Sequence, residues 1–106
     1  MLTTDHKKLQ LVVSIALIDS NNKILISKRP DKKHLSGFWE FPGGKVEKNE
    51  TPENAIIREV KEELNVDINN KCIAPLSFSE FDYKKFQLLL LLYVCRRWEG
   101  EPQSME

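Results

Sequence analysis

The segment Phe86 to Cys95 constrains the fold more than any other part of the chain. It carries the unbroken apolar run Leu88-Leu89-Leu90-Leu91-Leu92-Tyr93-Val94-Cys95. Apolar residues without alternation read as a strand buried on both faces, and this run is far too short to span a bilayer. Such a strand needs paired neighbours and a covering layer. Leu9 to Ile18, apolar and β-branched, reads as another largely buried strand. Asp19-Ser20-Asn21-Asn22 reads as a turn, and Lys23 to Lys28 alternates as the second strand of a hairpin. Arg29 to Gly37 is a polar loop, and Phe38 to Phe41 is a short extended piece leading into Pro42-Gly43-Gly44. Ile73 to Phe81 reads as one more strand, and the tail from Glu99 onward is polar.

One helix is well marked, over Thr51 to Leu64. Thr51 suits the N-cap, Pro52 sits where its missing N–H is harmless, and Glu53 meets the positive end of the dipole. Asn65 suits a left-handed cap. Ile56, Ile57, Val60 and Leu64 fall on one side at helical spacing and are expected to cover one sheet face. With 106 residues the chain is long enough for one small domain. No second amphipathic helix is present to cover the other face.

Chemistry is concentrated on that helix. Glu59, Glu62 and Glu63 stand at i, i+3 and i+4, which places three carboxylates on one face, opposite the apolar one. They repel one another, yet suit a hard divalent cation such as Mg²⁺, with Mn²⁺ a possible substitute. The other reading is a solvated acidic surface. Just upstream, the pair Gly43-Gly44 lets the backbone approach a ligand closely, and a loop feeding a capped helix start suits anions. Balanced charge, 16 basic and 16 acidic residues, gives no argument for a nucleic-acid polymer or an anionic membrane as partner. Cys72 and Cys95 lie far apart without metal-ligand spacing and read as reduced thiols. Met1 to Lys8 is polar, with no apolar segment of the secretory kind. Together these features lead us to expect a cytoplasmic protein.

Read together, Gly44 to Val66 resembles the box of the Nudix hydrolases: Gly, five residues, Glu, seven residues, Arg-Glu-apolar-x-Glu-Glu-x-Gly-apolar. Here it runs Gly44, Glu50, then Arg58-Glu59-Val60-Lys61-Glu62-Glu63-Leu64-Asn65-Val66. The single departure is Asn65 in place of Gly, and Asn also tolerates the left-handed conformation. The likeness continues through Lys7-Lys8-Leu9-Gln10, Asn21-Asn22, Glu40 to Lys45, Glu50 to Glu53 and Arg97 to Pro102. These look like the MutT branch of the family, the 8-oxo-dGTP diphosphatases, with one extra residue in the first hairpin.

The resemblance implies an α/β fold, the Nudix-type α/β/α sandwich around a mixed β-sheet. It implies that Glu59, Glu62 and Glu63, with the backbone carbonyl of Gly43, hold the metal, and that Glu50 and Arg58 brace loop against helix. Glu101 matches a carboxylate that is a candidate general base. Arg29, His34, Glu40, Phe41, Pro42, Gly43 and Lys45 match positions near the bound nucleotide, although His34 and Phe41 could equally be a solvated histidine and a core aromatic. The implied reaction is hydrolysis of a nucleoside triphosphate to the monophosphate and pyrophosphate. The first candidate substrate is 8-oxo-dGTP, which would mean nucleotide-pool sanitation in support of DNA replication and repair. A Nudix enzyme of other specificity, on dinucleotide polyphosphates or cytidine nucleotides, stays open, as does an impaired Nudix-fold binding module. MutT look-alikes continue into a further strand and helix after the position of Pro102, and that helix carries an asparagine that reads oxidised guanine. We therefore expect a single domain over residues 1–106 that is a C-terminally truncated form of a longer protein, a homodimer that shares the uncovered sheet face, or a poorly stable monomer.

Overall fold

A computed structural model describes residues 7–28 and 39–105 of the chain. Its centre is a four-stranded mixed sheet. β1 (Lys8–Leu17) runs parallel to the last strand, β6 (Phe86–Cys95), from the pair Lys8 and Phe86 to the pair Leu17 and Cys95. A parallel neighbour requires a crossover, commonly a helix, and α1 (Pro52–Leu64) lies between these strands in the chain. β5 (Ile73–Asp82) pairs antiparallel with β6 across a tight turn and forms one edge, and β4 (Gly43–Lys45) pairs antiparallel with β1 and forms the other. Pro75, which has no N–H for a ladder, sits on edge strand β5 beside its register irregularity.

The second strand expected over Lys23–Lys28 is only partly present. Ile24 bridges Ile18, and the Leu25 N–H donates to the Leu17 carbonyl. The chain then leaves β1: β2 (Ser27–Lys28) pairs with β3 (Trp39–Glu40) in a separate two-stranded ribbon. The alternating stretch thus divides its pairing: Ile24 and Leu25 stay against the end of β1, and Ser27 and Lys28 pair with the short extended piece. The Asp19–Asn22 turn formed as expected, with the Asp19 carboxylate accepting the N–H groups of Asn21 and Lys23 and Asn22 at φ 61°.

Helix α1 carries the caps that its sequence announces. The Thr51 hydroxyl accepts the Asn54 N–H at 3.1 Å, and Asn65 is left-handed at φ 56°, ψ 39°. Ile56, Val60 and Leu64 are buried and Ile57 partly so, packed on Val13, Ile15, Leu17, Tyr93 and Cys95. The polar tail returns past the end of the helix, where Gln103 and Met105 donate to the carbonyls of Leu64 and Glu63. Burial of β6 on both faces is not what the structure shows. Only Tyr93 and Cys95 are buried, and Phe86 to Leu92 are half-buried. Covering a strand takes a second layer, and among the described residues α1 is the one α-helix, lying against β1 and β4.

Candidate active site

The site is assembled where β4 meets α1. Pairing of Val13 with Gly44 and Ser14 with Gly43 lays the glycine loop along the flank of the helix. Side chains are excluded there by contact. A Cβ on Gly44 would stand 2.5 Å from the Glu59 carboxylate, and one on Gly43 would collide with the Val13 carbonyl. The Gly43 N–H donates to Glu63 Oε2 at 3.1 Å. Glu59 and Glu63 therefore do not point away from the packed side of the helix, as the spacing alone suggested. They border it, because the β4 loop overlies them. Glu62 is the exposed member of the three.

One guanidinium organises the acids. Arg58 grips Glu50 with two hydrogen bonds, Nε to Oε2 at 2.7 Å and Nη2 to Oε1 at 2.9 Å. The same side chain donates to the Lys45 carbonyl at 3.1 Å, which ties the loop to the helix. Its Nη1 reaches Glu59 at 2.9 Å and Glu62 at 3.2 Å, with Glu47 at 3.5 Å. Arg58 and the backbone N–H of Glu47 together hold the Glu50 carboxyl down to about 2. The Glu50 hydrogen bonds in turn push Arg58 above its ordinary value. Glu59 moves the other way. Burial raises its pKa and outweighs the Arg58 hydrogen bond, and the charges of Glu62 and Glu47 add to the rise.

Among the described residues no three acidic, imidazole or thiol groups are gathered into a finished metal cage. The carboxylates of Glu59, Glu62 and Glu63 share a helix flank; Arg58 Nη1 holds the first two, and the Gly43 N–H donates to the third. The donor set nevertheless fits a hard divalent cation. Four carboxylates, those of Glu47, Glu50, Glu59 and Glu62, surround a single guanidinium. The excess charge is negative and every available donor is oxygen. Gly44 adds space beside Glu59 that any other residue would fill.

Next to the glycine loop lies an open depression of about 380 Å³, lined by Glu40, Phe41, Gly43 and Gly44 together with Trp39, Ile26, Ser14 and Leu90. Phe41 is partly exposed there, so the structure does not make it a core residue. The Pro42 side chain is fully buried, and its carbonyl accepts the Ile15 N–H at 3.0 Å. Lys45 is exposed on the loop. Glu101 is exposed and precedes Pro102, Gln103 and Ser104, which line a second depression that includes Glu63, Ile26 and Trp39. Arg29 and His34 lie outside the described residues. Sequence reasoning passed over Trp39, Ile26, Ser14 and Leu90. Trp39 was visible as an aromatic in an extended piece, but the pairing of β2 with β3 that brings Trp39 beside Ile26 has no local signal.

Comparison with known proteins adds to this geometry. Residues 8–105 match the family model described as the NUDIX domain. An 8-oxo-dGTP diphosphatase of Proteus vulgaris is 38% identical over 97 residues, covering 92% of this chain and 84% of that protein. An 8-oxo-dGTP diphosphatase of Escherichia coli K12 is 39% identical over 105 residues, covering 94% and 75% respectively. Among solved structures, a MutT NUDIX hydrolase from Burkholderia pseudomallei superposes with a TM-score of 0.82 at 25% identity, covering 94% of this chain and 76% of that one.

Proposed function

The chain belongs to the NUDIX family, and from that premise we propose that it hydrolyses a nucleoside triphosphate to a nucleoside monophosphate and pyrophosphate in the manner of MutT. The candidate substrate is 8-oxo-dGTP, the compound named for its relatives from Proteus vulgaris and Escherichia coli. The observation that carries this reading is the glycine loop pinned against Glu59 and Glu63 by the Arg58–Glu50 clamp. Glu59, Glu62 and Glu63 and the Gly43 carbonyl would hold a divalent cation, Mg²⁺ with Mn²⁺ as a substitute. When bound, such an ion neutralises phosphate charge and lowers the pKa of water.

The residues of the chain divide the remaining work. Gly43 and Gly44 admit the phosphates to the backbone, and Lys45 stands on the same loop to meet their charge. Arg58 and Glu50 position loop and helix without touching substrate. Trp39, Glu40 and Phe41 receive the base in the depression beside the loop, with Arg29 and His34 assigned to the nucleotide from the matched pattern. Glu101 is the candidate to take the proton from the attacking water, which requires hydrogen-bond reach in the complex. Water oxygen bonds to phosphorus, the phosphoanhydride bond breaks, and pyrophosphate leaves. We place this activity in the cytoplasm, in sanitation of the nucleotide pool. Among the described residues no helix is long and apolar enough to cross a membrane.

A panel of 8-oxo-dGTP, the canonical nucleoside triphosphates and a dinucleotide polyphosphate, assayed for Mg²⁺-dependent pyrophosphate release, tests the proposal. Preferential turnover of 8-oxo-dGTP is expected. Turnover of CTP or of the dinucleotide instead would move the chain to another Nudix specificity, and no turnover of any would reject the enzymatic reading.

A further inference from the structure

Ser14 sits in the middle of β1, fixed by pairing with Gly43 on one side and Leu92 on the other. It is 7% exposed, and among the described residues its Oγ is a buried side-chain polar atom with no hydrogen-bond partner. Neighbours Val13 and Ile15 face α1 as part of the core. Strand alternation therefore turns Ser14 to the other face, beside Val12 and Ala16. There it lines the depression formed with Trp39, Phe41, Val12 and Leu90.

A hydroxyl is a poor choice for that position on packing grounds. Buried polar groups are almost always paired, and one left unpaired lowers stability. An alanine would fill the same place without the penalty. A serine hydroxyl can donate one hydrogen bond and accept two, and it rotates about one bond to suit its partner. The rest of the lining consists of two aromatics and aliphatic side chains, shaped for a flat apolar body, with Glu40 as the polar exception. A heteroaromatic ring carries both an apolar face and polar edges, so it matches both parts of the lining.

We propose that Ser14 is a specificity-determining residue, whose hydroxyl hydrogen-bonds a polar edge of the nucleobase held in this depression. The inference rests on the nucleotide reading above. It also predicts an asymmetry that a merely structural serine would not produce. A site whose buried polar group is left unpaired rejects bases that cannot satisfy it. Removing the hydroxyl therefore relaxes discrimination while leaving the chemistry at Glu59 and Glu63 untouched.

Ser14→Ala, and Ser14→Cys as a variant of similar volume and weaker hydrogen bonding, would be compared with the wild type in two measurements. In steady-state kinetics over the nucleotide panel, KM for the preferred substrate is expected to rise about ten-fold in Ser14→Ala. Its kcat should be nearly unchanged, and KM for the disfavoured bases should move less. In titration calorimetry with the corresponding nucleoside monophosphates, the same ten-fold loss and narrowed preference should appear without any turnover. The melting temperature of Ser14→Ala should be equal or higher. Should the wild type turn over nothing, the proposed activity fails, and calorimetry alone decides the role of Ser14. Equal affinities of wild type and Ser14→Ala for every monophosphate, no binding by the wild type, or a uniform loss across all bases would each overturn the inference.

Discussion

The two halves of the β1–β6 ladder are made of the same kinds of residue and paired in one unbroken register, yet only one half is inside. At the closed end Val13, Ile15 and Leu17 are fully buried, with Tyr93 and Cys95 beside them. At the open end Leu9 is 57% exposed and Phe81, on β5 next to Leu88, is 45% exposed. Length accounts for the difference. A helix of 13 residues is about 20 Å long at 1.5 Å per residue. Strands of 10 residues extend over about 33 Å. Even laid along the strands, α1 could therefore cover little more than half of the ladder. Apolar character sets what a strand can bury, and the covering element decides what it does bury. The candidate chemistry stands at the closed end, where packing on both β1 and β4 holds Glu59 and Glu63 in place.

The largest contrast expected between the ends is catalytic. Glu63→Gln and Glu62→Gln change charge with little change in volume, and we expect each to lower kcat by between about 10²- and 10³-fold with melting temperature nearly unchanged. Glu80→Gln, the same change on exposed β5, should leave turnover at the wild-type level. Near-normal rates in both helix variants would remove the metal-binding assignment. The next contrast is in stability. Ile56→Ala empties a fully buried site and should cost about 2–5 kcal/mol. Leu89→Ala, half-buried in β6, should cost less than half as much. Equal losses in chemical denaturation would mean that the open end is covered in solution.

A smaller effect comes from the clamp. Its folded-state bonds hold Glu50 at about 2, below the ordinary carboxylate range. A depressed carboxyl contributes stability above its unfolded pKa, and the contribution disappears as pH falls through the folded value. The wild type should therefore lose stability between about pH 4.5 and pH 2 more steeply than Glu50→Gln. The variant should be less stable at neutral pH, and the two curves should converge near the acid end. Parallel curves over that window would show that the Arg58–Glu50 contact does not persist in solution.

Much of the closed end was legible in the sequence, because its signals are local. Thr51, Pro52 and Asn65 fixed the limits of the helix, and the spacing of Ile56, Val60 and Leu64 fixed its buried side. The acids Glu59, Glu62 and Glu63 were visible at the same spacing, but their surroundings were not. That Glu59 and Glu63 lie under Gly43 and Gly44 depends on β4 pairing with β1, a contact between segments about thirty residues apart with no local cue. Trp39 and Ile26 entered the depression for a similar reason, through the pairing of β2 with β3. The apolar run of β6 misled in the other direction, since composition reports a capacity for burial and carries no information on the reach of the covering helix. The parallel pairing of β1 with β6 was equally silent, although a strand–helix–strand order invites it.

The smallest expected effect tests the one departure from the family box, at the edge of the closed end. Asn65 ends α1 at φ 56°, ψ 39°, close to the ideal left-handed conformation, and its N–H closes the last turn on the Lys61 carbonyl at 3.0 Å. That bond uses the backbone alone and survives any side chain that accepts the geometry. Glycine accepts it without a steric cost, but it also gains freedom in the unfolded chain, and the two effects oppose each other. Asn65→Gly should therefore shift stability by no more than about 0.5 kcal/mol, in the stabilising direction. Asn65→Val places a β-branched side chain at positive φ and should cost more than about 1 kcal/mol. Chemical denaturation of the pair separates conformational from side-chain effects. A large loss in both variants would show that the Asn65 amide itself makes a contact that holds the end of the helix, and the cap would then depend on more than its backbone angles.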